Sequence, residues 1–357
     1  MSETHVVEGD RRFPPDLLVE FAAAVLVAAG VEEDHAHVTA SRLVEADLRG
    51  RTGHGLIRVP SYVERIGAGG INLNPVIKHH RETPVSALVD GDNGLGQVVM
   101  THATELAIRK AQESGIAMVG TIRSNHAGAA GVYTSMALRH DLAAMYFAIA
   151  NANGLAPWGG RERLLGTNPI AASFPAGVEV PFQLDIATTV ASHGSIRVKE
   201  QAGEPLPEGW VVDAIGDPIT DPHQVEEGFL VPIGGHKGSG LNFMIGALAG
   251  IMTGAAFGSQ VVNFRTDRTT PTNTGQSILV MRPDLFMPLE EYRAKMDRHL
   301  REFRASESMT AEPVRLPGER AAQSEAQQRG RGIHLPDPLI DQLNNLADRL
   351  GLAVRLP

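Results

Sequence analysis

A histidine, His126, stands in the run Ser-Asn-His-Ala-Gly-Ala-Ala-Gly (residues 124–131), where an apolar segment gives way to helical spacing. Residues 116–122 predict a buried strand and residues 132–140 predict a helix. Open α/β sheets bind their ligands at such turns, and a helix N-terminus favours an anionic or carbonyl group. The motif therefore indicates either an imidazole beside a ligand or, more simply, a surface turn whose histidine caps the helix.

A second histidine lies in the run Arg-Thr-Gly-His-Gly-Leu-Ile-Arg (residues 51–58). His54 is flanked by glycines and can project from a loop. Arg58 offers a planar fork that binds a carboxylate through two parallel hydrogen bonds. This pair suits a 2-oxo or 2-hydroxy acid, and the alternative is a surface arginine beside a turn histidine.

Two other charged side chains stand beside a strand end or among glycines. Asp185 ends the strand predicted over residues 182–186, where a carboxylate can cap backbone N–H groups or orient an imidazole. Lys237 lies in the glycine-rich run 234–240, from which it can reach a pyrophosphate or a substrate oxygen. Both are candidates for a site shared with the histidines.

These groups need a scaffold, and the apolar periodicity predicts one of the α/β class. Helices are predicted over residues 16–29, 32–48, 59–66, 97–114, 132–140, 241–253, 289–303 and 337–350. Strands are predicted over residues 86–90, 116–122, 142–150, 170–174, 182–186 and 277–281. Two successive strand–helix units indicate a sheet with parallel elements. Residues 304–332 are polar, with mixed charge, which is a composition typical of a linker.

The composition excludes several classes of protein. The 357 residues contain no cysteine, so disulfides, thiolate nucleophiles and cysteine-bound metals are excluded. The sequence has no Rossmann fingerprint, P-loop or G-x-S-x-G elbow. The pairs His35/His37 and His79/His80 lack helix-face spacing with a carboxylate, so we expect no metal site. A net charge of −9 without a dense basic cluster argues against nucleic acid, and no segment is apolar and long enough for a membrane span; we expect a cytoplasmic protein.

Taken in order, the motifs resemble those of the malate/L-lactate dehydrogenase family, whose oxidoreductases lack the Rossmann fold. The resemblance is carried by His54-Gly55 with Arg58, Ser-Asn-His-Ala-Gly at 124–128, Gly-Thr-Asn-Pro at 166–169, Leu-Asp-Ile-Ala-Thr at 184–188, Leu-Pro-Glu-Gly-Trp at 206–210 with Asp213, Gly-Gly-His-Lys-Gly at 234–238 and Pro-Gly-Glu at 317–319. It covers most of the chain, and the shared order makes it specific.

The resemblance implies a mixed-sheet cofactor domain (residues 76–284) and a discontinuous helical domain (residues 1–75 and 285–357) for substrate and dimer contacts, with the active site between them. It implies a homodimer that uses NAD or NADP to transfer hydride to or from a small 2-hydroxy or 2-oxo acid, or a cyclic imino acid.

The resemblance also implies roles for particular residues. His54 and His126 are the acid/base candidates, with Asp185 as a partner for His54. The substrate contacts implied are Arg58, Thr167 and Asn168. The cofactor contacts implied are Asp185, Ile186, Ala187, Thr188, Thr189, His236, Lys237, Pro317, Gly318 and Glu319.

One position departs from the family pattern: Gly53 stands where many relatives carry serine. A proton relay through the serine hydroxyl is therefore not carried over to this sequence. We expect His54 to be the proton donor because Asp185 offers it an orienting carboxylate. An imidazole with an unperturbed pKa of about 6.5 can donate in reduction and accept in oxidation. The alternatives are a catalytically silent binding protein of the same fold and a cofactor-independent histidine hydrolase or lyase.

Overall fold

A seven-stranded mixed sheet forms the centre of the protein, as described by a computed structural model for residues 11–357, the side chains of residues 193, 197, 198 and 201 excepted. The strands are β1 (Arg12–Phe13), β2 (Lys78–Thr83), β3 (Ser86–Asp90), β4 (Ile116–Ser124), β5 (Ala143–Ala148), β6 (Ile170–Phe174), β7 (Phe182–Ile186), β8 (Val211–Val212), β9 (Phe229–Leu230), β10 (Thr274–Met281) and β11 (Ile333–His334). The sheet order is β2-β3-β4-β10-β5-β6-β7, and its neighbours are antiparallel except for the parallel pair β3 and β4. The predicted parallel element is therefore confirmed for that pair.

The helices are α1 (Pro15–Ala28), α2 (Glu33–Leu48), α3 (Val59–Gly67), α4 (Gly96–Ser114), α5 (Ala130–Leu138), α6 (His193–Ala202), α7 (His236–Gly246), α8 (Leu289–Arg304), α9 (Glu319–Arg331) and α10 (Asp337–Arg349). Two 3₁₀ turns, Thr52–His54 and Leu56–Arg58, link α2 to α3, and a π-helical turn over Ala247–Ile251 continues α7. The helices predicted from apolar spacing are confirmed, although the one predicted from residue 241 begins earlier, at His236. No helix in the described part of the chain combines the length and apolar character that a bilayer crossing requires.

The two largest hydrophobic cores among the described residues pack the N-terminal and C-terminal helices together and the sheet against its helices. The first joins the apolar faces of α1, α2, α3 and α10, and buries residues such as Phe21, Leu43 and Leu343. The second lies between the sheet and helices α4 and α5, and buries Met100 and Val119 among others. Each such side chain contributes about 1.5–3 kcal/mol when fully buried. The boundaries of the two expected domains stay a prediction.

The segment between α8 and α10 is not a linker, so the expectation for residues 304–332 is wrong where α9 forms. Helix α9 has no buried side chain and docks through polar contacts. Ser324 Oγ donates a hydrogen bond to Leu48 O (2.9 Å), and Gln328 Nε2 donates to Asp47 O (2.9 Å), so α9 caps carbonyls at the end of α2. Composition predicted a linker because the helix offers no apolar stripe for a pattern to detect.

Candidate active site

A cavity of about 120 Å³ brings together residues from distant parts of the chain. His54, Arg58 and Thr167, which the sequence proposed for catalysis or substrate binding, line it together with His126. Phe264 and Arg265, which the sequence did not suggest, line it as well. The two histidine motifs therefore form a single site, as their resemblance to the family implied.

The imidazoles of His54 and His126 lie nearly parallel, with centroids 5.7 Å apart and an interplanar angle of 11°. Tyr62 of α3 places its hydroxyl 2.7 Å from Nδ1 of His126. Gln97 of α4 donates from Nε2 to the same hydroxyl oxygen at 2.7 Å. Tyr62 therefore occupies Nδ1 of His126, which leaves Nε2 as the ring nitrogen that can exchange a proton with a ligand.

Tyr62 is therefore the group that orients an imidazole in this site, and sequence reasoning missed it. It stands four residues after Arg58, so both side chains lie on one face of the helical segment. That spacing was the available signal. A buried tyrosine is usually a core residue, which is why the pattern alone did not single it out.

Burial and nearby positive charge act in the same direction on both histidines. Burial, together with the charges of Arg58 and Arg51, lowers the pKa of His54 to about 4. Burial also lowers the pKa of His126 well below its usual value, assisted by Arg58, His54 and Arg265. Both imidazoles are therefore neutral at pH 7 in the free protein. Burial raises the pKa of Tyr62 to about 12, so its hydroxyl keeps the proton.

The loop that carries His54 and Arg58 is fixed from two sides. Arg58 Nε donates to Gly53 O (2.7 Å), and Leu56 N donates to Oδ2 of Asp47 (2.8 Å). A Cβ on Gly55 would lie 1.9 Å from Oδ1 of Asp47, so only glycine lets the buried carboxyl approach the loop. Burial raises the pKa of Asp47 to about 7, against the lowering effect of the Leu56 N–H.

Asp185 does not orient His54, and that prediction is wrong. Its Oδ2 accepts a hydrogen bond from Gly131 N (3.1 Å) in the first turn of α5, and lies 3.7 Å from Arg51 Nε. No hydrogen bond or ion pair joins it to His54 within residues 11–357. Of the two roles open to a carboxylate at a strand end, Asp185 takes the capping one, because the strand aims it at the N-terminus of α5. Burial raises the pKa of Asp185, against the charge of Arg51.

Asn168 supports the cavity wall from behind and does not line the cavity. Its Nδ2 donates to Oδ1 of Asn242 (2.8 Å), and its Oδ1 accepts from Ala150 N (3.0 Å). The hydroxyl of Thr188 donates to Thr167 O (3.0 Å) and accepts from Asn242 Nδ2 (2.8 Å). The three buried side chains of Asn168, Asn242 and Thr188 satisfy one another and fix Thr167 at the edge of the cavity.

The cofactor contacts that the resemblance implied fall into two groups at opposite ends of β7. In the first, an isolated bridge between Thr189 and Pro232 places Ile186, Ala187, Thr188 and Thr189 close to the start of α7. His236 and Lys237 are exposed in the first turn of that helix, and Trp158 lies edge-on to His236 at 6.3 Å. Gly234 and Gly235 both have positive φ, and no side chain caps α7.

The second group reaches β7 from the C-terminal part of the chain. Pro317 O accepts a hydrogen bond from Gln183 N (3.1 Å), which brings Pro317, Gly318 and Glu319 beside the strand that carries Asp185. Glu319 accepts from Arg304 Nε (2.6 Å). The proposed cofactor residues therefore lie along β7 and the segment that follows it, with residues 317–319 beside the first residues of the strand and the start of α7 beside residues 188–189.

This arrangement fits a dinucleotide. The uncapped N-terminus of α7, with Lys237 beside it, favours a negatively charged pyrophosphate. The hydroxyl oxygen of Thr189 is buried and has no hydrogen-bond partner, so the protein leaves a polar group for a ligand to satisfy.

The histidine pairs considered for metal binding do not form such a site. His79 Nε2 lies 2.7 Å from Nε2 of His102 and contacts Glu82 through its other nitrogen, so these ligands do not converge on one point. Among the described residues, no three histidine or carboxylate side chains are grouped to hold a metal ion.

Comparisons with known proteins place this geometry in a family. A family model described as malate/L-lactate dehydrogenase matches residues 13–344. The malate/(S)-sulfolactate dehydrogenase of Methanothermus fervidus is 37% identical over 328 residues, which is 92% of this chain and 95% of that protein.

Solved structures give the same result. The sulfolactate dehydrogenase from Methanocaldococcus jannaschii matches with a TM-score of 0.89 and 36% identity, over 96% of this chain and 98% of that one. The malate dehydrogenase from Pyrococcus horikoshii OT3 matches with a TM-score of 0.89 and 35% identity, over 99% of each chain. Other relatives carry NAD(+) or NADP(+) in their names.

Proposed function

Because the chain belongs to the malate/L-lactate dehydrogenase family, and is therefore an NAD(P)-dependent oxidoreductase of 2-hydroxy acids, we propose that it interconverts a small 2-hydroxy acid and its 2-oxo acid in the cavity formed by His54, Arg58 and His126. The observation that carries the proposal is the presence in one cavity of a guanidinium and an imidazole whose second nitrogen is held by Tyr62. The first group suits a carboxylate and the second a proton transfer.

Arg58 binds the substrate carboxylate. Its Nε bond to Gly53 O fixes the guanidinium plane, and the fork of a guanidinium suits a paired contact with two carboxylate oxygens. The bound acid is then held with its C2 oxygen near the imidazoles. This positioning supplies much of the rate advantage, because the reacting groups are held in place before the reaction begins.

His126, not His54, exchanges the proton with the C2 oxygen. Its Nδ1 is hydrogen-bonded to the hydroxyl of Tyr62, so Nε2 is the nitrogen that exchanges the proton. In reduction the imidazolium of His126 donates its Nε2 proton to the forming alkoxide and keeps the Nδ1 proton, which is donated to the Tyr62 oxygen. In oxidation the neutral ring with its proton on Nδ1 accepts the alcohol proton at Nε2. His54, stacked on His126, keeps water away from the ring and helps to orient the substrate.

NAD or NADP, when bound, supplies or accepts the hydride. Lys237 and the N-terminus of α7 bind its pyrophosphate, and Thr189 offers the buried hydroxyl. Residues 185–188 at the end of β7 and residues 317–319 beside its start complete the contacts.

The protein acts as a homodimer. Phe243, Met244, Ile251 and Met252 lie along α7 and its π-helical continuation with exposed fractions of 55%, 44%, 55% and 68%. Monomeric proteins seldom leave such a contiguous apolar stretch in water. A second copy of the chain is the partner that covers it.

The test is oxidation or reduction followed by nicotinamide absorbance. The purified protein is incubated with NADH or NADPH and a panel of 2-oxo acids and cyclic imino acids. Turnover that requires a 2-oxo acid and a nicotinamide supports the proposal. Cofactor binding without turnover on any acid identifies a silent binding protein, and turnover without nicotinamide identifies a hydrolase or lyase; either result overturns the proposal.

A further inference from the structure

The two imidazoles of the cavity stand on separate loops, and these loops are joined by one link after His54 and another before it. The link after His54 is the contact between the hydroxyl of Tyr62 and Nδ1 of His126. Helix α3, which carries Tyr62, is anchored in turn by Arg65, which donates hydrogen bonds to two backbone carbonyls of the loop around residue 265. This side of the His54 loop is therefore fixed through α3.

The link before His54 runs from Arg51 to β7, the last strand of the central sheet. Arg51 is the N-cap residue of the 3₁₀ turn Thr52–His54, and its carbonyl oxygen accepts a hydrogen bond from His54 N at 2.8 Å. Its side chain reaches the strand, where Nη2 donates to Asp185 O at 2.9 Å and Nε lies 3.7 Å from Asp185 Oδ2. The residue that begins the His54 turn is therefore bonded to the sheet.

The carboxylate of Asp185 also holds the loop that carries His126. Its Oδ2 accepts a hydrogen bond from Gly131 N at 3.1 Å, in the first turn of α5. A Cβ on Gly131 would lie 2.9 Å from that oxygen, so glycine permits this close approach. Asp185 is itself paired with Ala171 of β6. The two histidine loops therefore share one anchor, on a strand that the sheet keeps in place.

A second arginine lies along the same strand. Arg49 Nη1 donates to Oε1 of Gln183 at 2.8 Å. Arg49 and Arg51 are alternate residues of their segment, and Gln183 and Asp185 are alternate residues of β7, so side chains of equal spacing meet on one face. The approach of Arg51 to β7 is therefore set by the path of the whole segment.

The ring of His54 depends on this anchoring more than the ring of His126 does. Among the described residues, none forms a hydrogen bond with the side chain of His54, which stacks on His126 with centroids 5.7 Å apart. The position of its ring therefore depends on its backbone and on that stacking. A displacement on the order of 1 Å in a group that orients substrate can cost about 100-fold in rate.

We propose that Arg51 is a positioning residue, which joins the His54 turn to β7 at Asp185 and so holds the ring of His54 against His126 and the substrate. The inference rests on the proposed function, in which His54 orients the acid, and it adds a residue that does not line the cavity. The side chain of Arg51 is 47% exposed, so water screens its charge, and its effect comes from the hydrogen bond to a backbone carbonyl.

The experiment is a double-mutant cycle between Arg51 and His54. The kcat/KM for nicotinamide-dependent reduction is measured with whichever of oxaloacetate, pyruvate and sulfopyruvate the wild type reduces fastest. Arg51→Met should lose roughly 10-fold in kcat/KM, the value of one hydrogen bond. In a His54→Ala background the same substitution should change kcat/KM by less than about twofold, because the side chain that Arg51 positions is absent.

Two further variants and one binding measurement complete the design. Arg51→Lys keeps one donor and should restore part of the lost kcat/KM. Arg282→Met removes an arginine of similar exposure, which pairs with Asp284 at 2.7 Å away from the cavity, and should leave kcat/KM unchanged. The Kd for nicotinamide, measured by cofactor fluorescence, should stay constant in the Arg51 variants. If Arg51→Met does not fold, the cycle is run with Arg51→Lys, whose smaller loss must also disappear with His54.

Three outcomes would overturn the inference while leaving the proposed function intact. These are an equal loss from the Arg51 substitution with and without His54, an unchanged kcat/KM in Arg51→Met, and a loss accounted for by weaker nicotinamide binding. If the wild type reduces no 2-oxo acid with either nicotinamide, the proposed function itself has failed, and the role of Arg51 fails with it.

Discussion

The hydroxyl of Tyr62 lies 2.7 Å from Nδ1 of His126, and this contact makes the two imidazoles of the site unequal. His126 has a fixed partner from another helix, whereas the ring of His54 is held by stacking against it. The contact determines which nitrogen of His126 is available for proton transfer.

Tyr62→Phe removes the hydroxyl and leaves the packing of the aromatic ring unchanged. We expect kcat to fall by about 10-fold, the value of one hydrogen bond, with a smaller change in KM for the 2-oxo acid. The pH dependence of kcat should shift as well, because the tautomer of His126 is no longer fixed. Unchanged kcat together with an unchanged pH profile would assign Tyr62 a purely structural role.

His126→Ala should lose roughly 10²- to 10⁴-fold in kcat for carbonyl reduction, as expected for removal of a general acid. His54→Ala should lose less, and both should still bind nicotinamide, which cofactor fluorescence checks. If both variants keep kcat near that of the wild type, neither histidine transfers the proton.

The direction of the pKa shift sets the pH dependence. Because the pKa of His126 lies well below its usual value, the fraction of imidazolium in the free enzyme rises about tenfold for each pH unit of acidification through the neutral range. The kcat/KM for reduction should therefore increase as pH falls from 8 to 6, while kcat/KM for oxidation stays flat. Steady-state rates in both directions test this, and the slope for reduction should vanish in His126→Ala.

Arg58→Lys keeps the charge and loses both the paired contact and the Nε bond to Gly53 O. We expect KM for the acid to rise, at a cost on the order of 1 to 3 kcal/mol in kcat/KM. The KM of the nicotinamide serves as the internal control and should stay constant. Unchanged kinetics on a carboxylate substrate would mean that another group binds the carboxylate.

Asp47→Asn tests whether the buried carboxyl of Asp47 has a raised pKa, through its effect on the free energy of unfolding. In the folded protein the pKa of Asp47 is about 7, above its unfolded value of 3.8, so between these values the folded state binds more protons. Its contribution to stability is therefore present below pH 3.8 and is lost as pH rises through 7. Asparagine at this position cannot ionise, so the variant should gain stability relative to the wild type between pH 5 and pH 8, up to a limit on the order of 4 kcal/mol.

Urea unfolding at both pH values measures this difference. Asp341→Asn, which removes an exposed carboxylate on α10, is the control and should follow the wild type at both pH values. A difference between Asp47→Asn and the wild type that does not depend on pH would show that Asp47 is charged in the folded protein throughout this range.

Substituting Glu for both Phe243 and Met252 should weaken the homodimer, because it places charge on the apolar stretch of α7 and its continuation. Light scattering across a dilution series would then detect monomer. Phe286→Glu is the matched control, since Phe286 is 92% exposed and lies outside that stretch. A wild-type protein that is monomeric and fully active would contradict the proposed assembly.

The sequence was sufficient to predict those functional side chains that belong to short motifs of neighbouring residues. His54 with Arg58 forms one short motif and His126 another, and both reach the cavity. Tyr62, Phe264 and Arg265 escaped notice because their place in the site depends on how α3 and the loop before β10 pack in three dimensions.

Asp185 is a residue whose role the sequence alone does not determine. A carboxylate at a strand end can face either the next helix or a neighbouring loop, and one chain's sequence does not say which. The contact with Gly131 N decides it. Helix α9 escaped prediction because it docks through backbone carbonyls and polar side chains, which leave no apolar period in the sequence.

The hydrogen bonds from Arg65 to the loop around residue 265 affect how the substrate range of such an enzyme can change during evolution. Arg65 donates hydrogen bonds to the carbonyl oxygens of Asp267 and Thr270. These are backbone atoms, so any amino acid at those two positions would provide them. The loop can therefore exchange its side chains while its path stays the same, and the proton-transfer pair of Tyr62 and His126 lies outside it. Natural variation or laboratory selection restricted to this loop is a route to new substrates that keeps both residues of the proton-transfer pair.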